Sequence, residues 1–360
     1  MKFLGLIRKK FLGIDIGTSA IKIVELSRWA GRKKLENYGE ISASVFYKKP
    51  FRTFEKNTLS LLSKDIAKAI RAVLEEAGMK TRQAVFTIPD FSTFFTSFEL
   101  PSMSNEELPQ AVKSEARRHV PLPLAEVTLD WQILNKVTRR EGQKFEILLV
   151  TVPNEVINQY KEIAQSSDLE LIGLEAEVFG LMRSLIHKEE KRAIGLIDIG
   201  ARSTTCSVVD KRILRISHSF DISGDILTER VSKALSIDYE AATKLKRQYG
   251  ISSIIEDSEK RSIQEVLTPL TALIIREVEK VFKEFSLKKR KEVEKIILAG
   301  GVAMLPGLSE SFKDYFKKEI EIANPFSEIF FPPVLEKRLK KMGPSYAIAV
   351  GAALRGIETS

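Results

Sequence analysis

Phe11-Leu12-Gly13-Ile14-Asp15-Ile16-Gly17-Thr18-Ser19-Ala20-Ile21-Lys22-Ile23-Val24-Glu25-Leu26 reads as an apolar strand, an Asp-Ile-Gly corner, a short polar turn and a second β-rich strand. The same grammar returns at Ile194-Gly195-Leu196-Ile197-Asp198-Ile199-Gly200-Ala201-Arg202-Ser203-Thr204-Thr205-Cys206-Ser207-Val208-Val209. Each is a hairpin signal. Half a chain separates them, far more than any solenoid period, so the economical reading is two related domains. The residue types suit phosphate chemistry. A carboxylate at a strand end can hold Mg²⁺ through that ion's retained waters. The glycine lets backbone turn tightly against a phosphate with no Cβ in the way. Thr18, Ser19, Ser203, Thr204 and Thr205 set hydroxyls beside the backbone N–H groups of the turns, an anion-binding nest. One Asp-x-Gly hairpin is usually only a turn; two matched copies carry far more weight.

A third element follows at Lys295-Ile296-Ile297-Leu298-Ala299-Gly300-Gly301-Val302-Ala303. A buried-type strand runs into paired glycines and then an amphipathic helix from Leu308 to Phe316. Bare backbone near a helix N-terminus can take a flat ring or a phosphate. Neither Gly-x-x-x-x-Gly-Lys-Ser/Thr nor Gly-x-Gly-x-x-Gly occurs, so the two commonest phosphate motifs do not explain the pattern.

Composition sets the outer bounds. At 360 residues and 44% hydrophobic, the chain can bury a two-domain core. No apolar run reaches the ~18 residues of a membrane span, and Met1 to Lys10 is too short and charged for a secretory signal. The expectation is a soluble cytoplasmic protein. Cys206 is the only cysteine and the three histidines are scattered, which argues against disulfides and zinc. The net charge of +9 points to an anionic partner. Its positive runs, Arg32-Lys33-Lys34, Lys48-Lys49, Arg117-Arg118, Lys288 to Lys291, and Lys337-Arg338 with Lys340-Lys341, are short. They read chiefly as solvated faces and not as a nucleic-acid site, with a membrane-facing patch as the remaining reading.

Between the hairpins, Gln83 to Ile88 reads as a strand broken by Pro89-Asp90, and Phe91 to Leu100 as an aromatic-rich strand. Ser104-Asn105-Glu106-Glu107 is a capping box opening a helix to about His119. Val127 to Val137 and Lys144 to Val152 pair around Gly142. In the aromatic strand, alternation puts Phe94 and Phe98 on one face and Phe91 and Phe95 on the other.

The three glycine-bearing elements, in this order, resemble the phosphate 1, phosphate 2 and adenosine motifs of the actin, Hsp70 and sugar-kinase superfamily. Leu174 to Leu181 and Ser345 to Gly356 look like its two connecting helices. The unit at 91–153 sits where FtsA carries its subdomain 1C. The wording Phe98-Glu99-Leu100-Pro101, Glu115-Ala116-Arg117-Arg118-His119-Val120-Pro121-Leu122-Pro123-Leu124 and Leu129-Asp130-Trp131 is similar to the PilM family of type IV pilus assembly ATPases, as is Gly13-Ile14-Asp15-Ile16-Gly17-Thr18-Ser19 after a basic N-terminus. The chain ends soon after the second connecting helix, without the linker and amphipathic membrane helix that FtsA carries there.

The resemblance implies an α/β, actin-like ATPase fold of two duplicated domains, each built on a five-stranded-type mixed sheet. Subdomain 1A would comprise 1–90 and 154–190, 1C 91–153, 2A 191–223 and 293–360, and 2B 224–292. It implies Mg·ATP in the interdomain cleft, with Asp15 and Asp198 holding hydrated Mg²⁺. Gly17, Thr18, Ser19, Gly200, Ala201, Arg202, Ser203 and Thr204 would cradle phosphate, Arg202 reaching either phosphate or solvent. Gly300, Gly301 and Ala303, with Lys244 and Lys246 on a helix from Tyr239 to Tyr249, would border adenosine. Glu175 is the candidate for orienting an attacking water, with Glu177 its rival and a surface salt bridge the plain alternative. Lys22 reads as a solvated face. The implied task is a scaffold at the inner membrane that grips the cytoplasmic N-terminal tail of the membrane protein PilN. Other platform proteins, assembly ATPases and self-association are further partners the resemblance allows. An FtsA-like filament-forming division protein and a small-molecule kinase are the rivals, and useful ATP turnover is left open.

Overall fold

The computed structural model describes residues 9–29, 31–43, 54–55, 58–59, 62–139, 142–252 and 258–359. The Lys48-Lys49 run and all but the end of the N-terminal basic segment lie outside them. The first hairpin is β1 (Lys10–Ile16) and β2 (Ala20–Trp29), extended by β3 (Arg32–Ser42). A minimal pair, β4 (Phe54–Glu55) and β5 (Thr58–Leu59), precedes α1 (Ser63–Glu76). β6 (Gln83–Ile88) then pairs parallel to β1, and β10 (Glu170–Ala176) parallel to β6. The sheet order is β10-β6-β1-β2-β3.

The second half repeats this plan. β11 (Ala193–Ile199), β12 (Thr204–Asp210) and β13 (Ile213–Phe220) form an antiparallel meander. β14 (Lys295–Ala299) and β15 (Glu319–Ile322) add parallel strands on the other side. The order β15-β14-β11-β12-β13 is that of the first sheet, strand for strand. Even the register repeats: Asp15 and Ile16 pair with Lys22 and Ile21, Asp198 and Ile199 with Thr205 and Thr204. The duplication read from two quoted stretches is therefore a duplication of whole sheets.

β1 is buried at every position after Lys10. One face takes α1 and α3 (Asn154–Ser166), whose Ile66, Ile70, Tyr160 and Ile163 pack on Ile14 and Ile16. The other face takes the long α9 (Glu336–Glu358). A strand covered on both sides reads as a continuous apolar run and not as an alternation. The approach is close: a Cβ on Gly13 would lie 2.0 Å from the Ala349 carbonyl oxygen.

Two helices join the halves, α4 (Glu177–Leu185) leading from β10 towards β11 and α9 returning to pack on the first sheet. They cross at glycines. A Cβ on Gly351 would lie 1.9 Å from the Gly180 carbonyl oxygen, so only glycine permits this contact. The first connecting helix begins at Glu177, not Leu174, because residues up to Ala176 are held in β10 by β6.

A three-stranded sheet, β7-β9-β8, carries α2 (Leu108–His119) on one face. β7 spans Phe94–Pro101, β8 Val127–Arg139 and β9 Gly142–Pro153. The capping box forms: Glu107 accepts from the Ser104 N–H at 3.1 Å, and Ser104 Oγ accepts from the Glu107 N–H at 3.3 Å. β7 starts three residues later than the sequence suggests, since Asp90–Ser92 coils into a 3-10 turn. Phe94 and Phe98 do face α2, and Phe95 packs edge-on against Phe179 of α4 at 6.3 Å. The second half is completed by α5 (Gly224–Leu235), α6 (Tyr239–Tyr249), α7 (Ser258–Lys289) and α8 (Leu308–Phe316), which share one core with β11, β12 and β14.

Candidate functional site

The two Asp-x-Gly corners sit at equivalent ends of equivalent strands. Gly17 and Gly200 occupy matching positions: an added Cβ would meet the Ala20 or the Ser203 carbonyl oxygen, each at 3.0 Å. The N-terminus of α5 is tied to the second corner, its Gly224 and Asp225 N–H groups donating to the Gly200 and Ala201 carbonyls at 2.9 and 2.8 Å. Gly17, Thr18, Gly200, Ala201, Arg202 and Ser203 are half-buried, and Ser19 is exposed.

Asp15 and Asp198 end up close enough to repel each other. Burial raises the Asp15 carboxyl above the usual range, opposed by Lys22, whose Nζ is 3.6 Å from Oδ2. Burial, then the charge on Asp15, pushes Asp198 up to about 6. Two carboxylates that the sequence did not put in this role join them. Asp90, at the end of β6, accepts from the Val178 N–H at 3.2 Å, while its own N–H donates to Glu177 at 3.2 Å. This exchange clamps the N-terminus of α4 to the strand end, where the helix dipole favours negative charge. Burial, with the charge of Asp198, still lifts Asp90 to about 7. Glu177 is raised well above the usual range by burial and by Asp90, Asp15 and Asp198. Among the described residues, Asp15 Oδ1 and the Tyr160 hydroxyl, both buried, have no hydrogen-bond partner.

Four acidic side chains within electrostatic reach of one another, with one lysine among them, are costly without a cation. A hydrated Mg²⁺ fits this donor set: oxygen donors, excess negative charge and an unsatisfied Asp15 oxygen. Among the described residues no three His, Cys, Asp or Glu side chains converge as direct ligands of a metal.

Several predicted residues do other work. Glu175 lies in β10, two strands from Asp15 in the row Asp15–Thr87–Glu175. Both its oxygens are taken, by Arg183 at 2.6 and 2.9 Å and by Arg355 at 3.0 Å. It fastens β10 to α4 and α9, while Glu177 lies within electrostatic reach of Asp90, Asp15 and Asp198. Lys22 is no solvated face, since it pairs with Asp15. Thr204 is buried with its hydroxyl committed to the Ile222 carbonyl at 2.6 Å. Arg202, half-buried, lies over the Phe91 ring of the first half, 5.5 Å from its centroid.

Lys246 turns inward, donating to the Gly224 carbonyl at 2.7 Å and to Thr228 Oγ1 at 2.6 Å, so it braces the second corner from behind. Burial pulls its pKa down to about 8. Lys244 is exposed and lines an open hollow of about 670 Å³ with Glu240, Thr243 and Arg247. The paired glycines divide their roles. Gly300 has φ +87° and a Cβ there would fall 2.5 Å from Asp198 Oδ1, so it lets the loop close over that carboxylate. Among the described residues, none beyond its chain neighbours lies within 4 Å of a Cβ position at Gly301, and Ala303 is buried against the core of the second half.

A model of the type IV pilus assembly protein PilM matches residues 13–357. The chain belongs to the PilM family. Its fold is that of a chain in a PilM–PilN type IV pilus biogenesis complex, 24% identical, with a TM-score of 0.83 over 96% of this chain and 98% of that one. MreB5 of Spiroplasma citri bound to AMPPNP shares the architecture at 11% identity and a TM-score of 0.56, covering 98% and 97%. By sequence, the cell division protein FtsA of Enterococcus faecalis (strain ATCC 700802 / V583) is 20% identical over 353 residues, 88% of this chain and 78% of FtsA. The actin-like fold of two duplicated halves is thus shared with these solved structures.

Proposed function

We propose that this PilM-family protein is a nucleotide-binding scaffold of the type IV pilus assembly platform, acting on the cytoplasmic face of the inner membrane. The observation that carries the reading is the pair of duplicated corners turning Asp15 and Asp198 towards one another. Mg·ATP would lie between them, with Mg²⁺ held through its waters by Asp15 and Asp198. Gly17, Thr18 and Ser19 on one side and Gly200, Ala201 and Ser203 on the other would meet phosphate. Gly301 and the hollow beside Lys244 would border adenosine. AMPPNP in the fold-sharing MreB5 supports a nucleotide of this kind.

Bound Mg²⁺ would supply charge neutralisation for phosphate and carboxylates. The chain's own part in any turnover falls to Glu177, which can accept a proton from water once the cation draws it to its ionised form. The subdomain division 1–90 with 154–190, 91–153, 191–223 with 293–360, and 224–292 is adopted as 1A, 1C, 2A and 2B. PilN accompanies PilM in the complex whose fold this chain shares, which supports a PilN-like tail as the partner, gripped beside 1C as an extended peptide.

The test is a titration of the full chain with a peptide copying the cytoplasmic tail of a PilN-like protein from the same organism, with and without Mg·ATP. Micromolar-class binding that changes with nucleotide is expected. No binding in either state would overturn the platform reading in favour of an FtsA-like or kinase role.

A further inference from the structure

The β2–β3 hairpin ends in Arg28-Trp29-Ala30-Gly31-Arg32-Lys33-Lys34, four cations and a tryptophan with no acidic residue among them. Pairing between β1 and β2 stops at Lys10–Ser27, so Arg28 and Trp29, with their partners Lys33 and Arg32, overhang the sheet. Residues paired across strands share a face. The pairs Trp29–Arg32, Ser27–Lys34 and Lys34–Phe330 therefore set Trp29, Arg32, Lys34 and Phe330 side by side. Trp29 is 55% exposed and Phe330 58%.

The carboxylates nearby are already engaged: Glu36 with Lys34 at 3.1 Å, Glu328 with Lys33 at 3.4 Å. Arg28 and Arg32 are exposed and make no ion pair among the described residues. The free edge that a peptide strand would need is occupied, because Phe330 donates to the Lys33 carbonyl and accepts from the Leu35 N–H, each at 2.9 Å. What is left is a projecting, cationic tip with two exposed aromatic rings.

We propose that this corner docks tip-first on an anionic lipid surface, with Trp29 and Phe330 at the level of the headgroups and Arg32 beside them, and Arg28 on the other face of the hairpin tip, against lipid phosphates. Aromatic rings favour that depth, and cations gain from the negative surface potential. The chain would then carry its own contact with the membrane, independent of the partner and of nucleotide.

The experiment uses the full chain and vesicles of phosphatidylcholine, alone or in an equal mixture with phosphatidylglycerol. Trp131→Phe leaves Trp29 as the sole tryptophan. Co-sedimentation with the mixed vesicles only, and a blue shift of Trp29 emission there, are expected. Arg28→Ser/Arg32→Ser should weaken partitioning roughly 20- to 30-fold, about fivefold per cation, and Trp29→Ser should weaken it with an unchanged melting temperature. Equal binding to both vesicle types overturns the proposal, as does binding that survives both variants. Loss on Phe3→Ser/Leu6→Ser with no effect of the tip variants overturns it in favour of the N-terminal segment. Capture of poly-glutamate without vesicle binding overturns it in favour of an acidic protein partner.

Discussion

Asp198→Asn should make the nucleotide-free protein more stable while removing its response to Mg·ATP. Folding raises the Asp198 pKa from 3.8 to about 6. Between these values the folded protein keeps a proton that the unfolded chain has released. The associated stability is complete below about pH 3.8 and is lost as pH rises through about 6. A shift of about two units, at about 1.36 kcal/mol each, amounts to about 3 kcal/mol lost by pH 8. Asparagine has nearly the same shape and no charge, so it escapes that loss. At about 2 °C per kcal/mol for a chain of this size, the variant should melt roughly 5 °C above the parent at pH 8. The gap should narrow by about half at pH 5, where the parent has regained most of its proton. Thermal melts at the two pH values, each with Mg·ATP or EDTA, read all of this. A variant less stable than the parent at pH 8 would refute the reasoning, and so would a gap independent of pH. A Mg·ATP shift as large as the parent's would show that Asp198 is not at the phosphate end of the cleft.

Glu177→Gln should lower any ATP turnover by roughly 10²–10⁴ with little change in nucleotide affinity, whereas Glu175→Gln should instead lower the melting temperature; single-turnover assays beside melts separate the two, and the reverse pattern would restore Glu175 as the water-orienting acid. Gly351→Ala drives a Cβ into the Gly180 carbonyl, 1.9 Å away, and should cost at least about 1–3 kcal/mol by denaturant titration. Gly301→Ala, placed where no described residue beyond its chain neighbours lies within 4 Å, should stay within about 0.5 kcal/mol. Glu146 of β9 pairs with the buried Arg215 of β13 at 3.1 Å and with Lys289 of α7, so Glu146→Ala strands an arginine between the three-stranded unit and the second half; a loss near 3 kcal/mol is expected, and a neutral result would mean that Arg215 finds another partner or water.

The sequence carried those parts of the molecule in which cause and effect are neighbours. Both corners were legible because strand, Asp, Gly and turn lie within a few residues, and the capping box at Ser104 for the same reason. The sequence does not separate Glu175 from Glu177, because the strand end between them is set by Asp90, 88 positions before Val178, whose N–H it accepts. Nothing local distinguishes two glutamates two residues apart. The reading of Lys22 failed similarly: alternation gives it a face, but only the folded hairpin puts Asp15 on that face. On α6, Lys244 and Lys246 point in nearly opposite directions, and the sequence could not say which one turns inward. Gly351 stands in a stretch of small residues that reads as suited to close helix packing, whereas nothing local marks Gly13 and Gly180. Their necessity comes from α4 and α9 meeting each other and the first sheet, contacts between segments more than 160 positions apart.

The central claim is that the two corners close on Mg·ATP, and direct calorimetry on the full, nucleotide-free chain tests it best. The account predicts one site per chain for Mg·ATP, lost in Asp15→Ala and with EDTA. Affinity should rise from pH 5 to pH 8 as protons leave the raised carboxylates, and binding should release protons, read as a heat that varies with buffer. Absence of binding, binding that Asp15→Ala leaves intact, or affinity that falls as pH rises would contradict it.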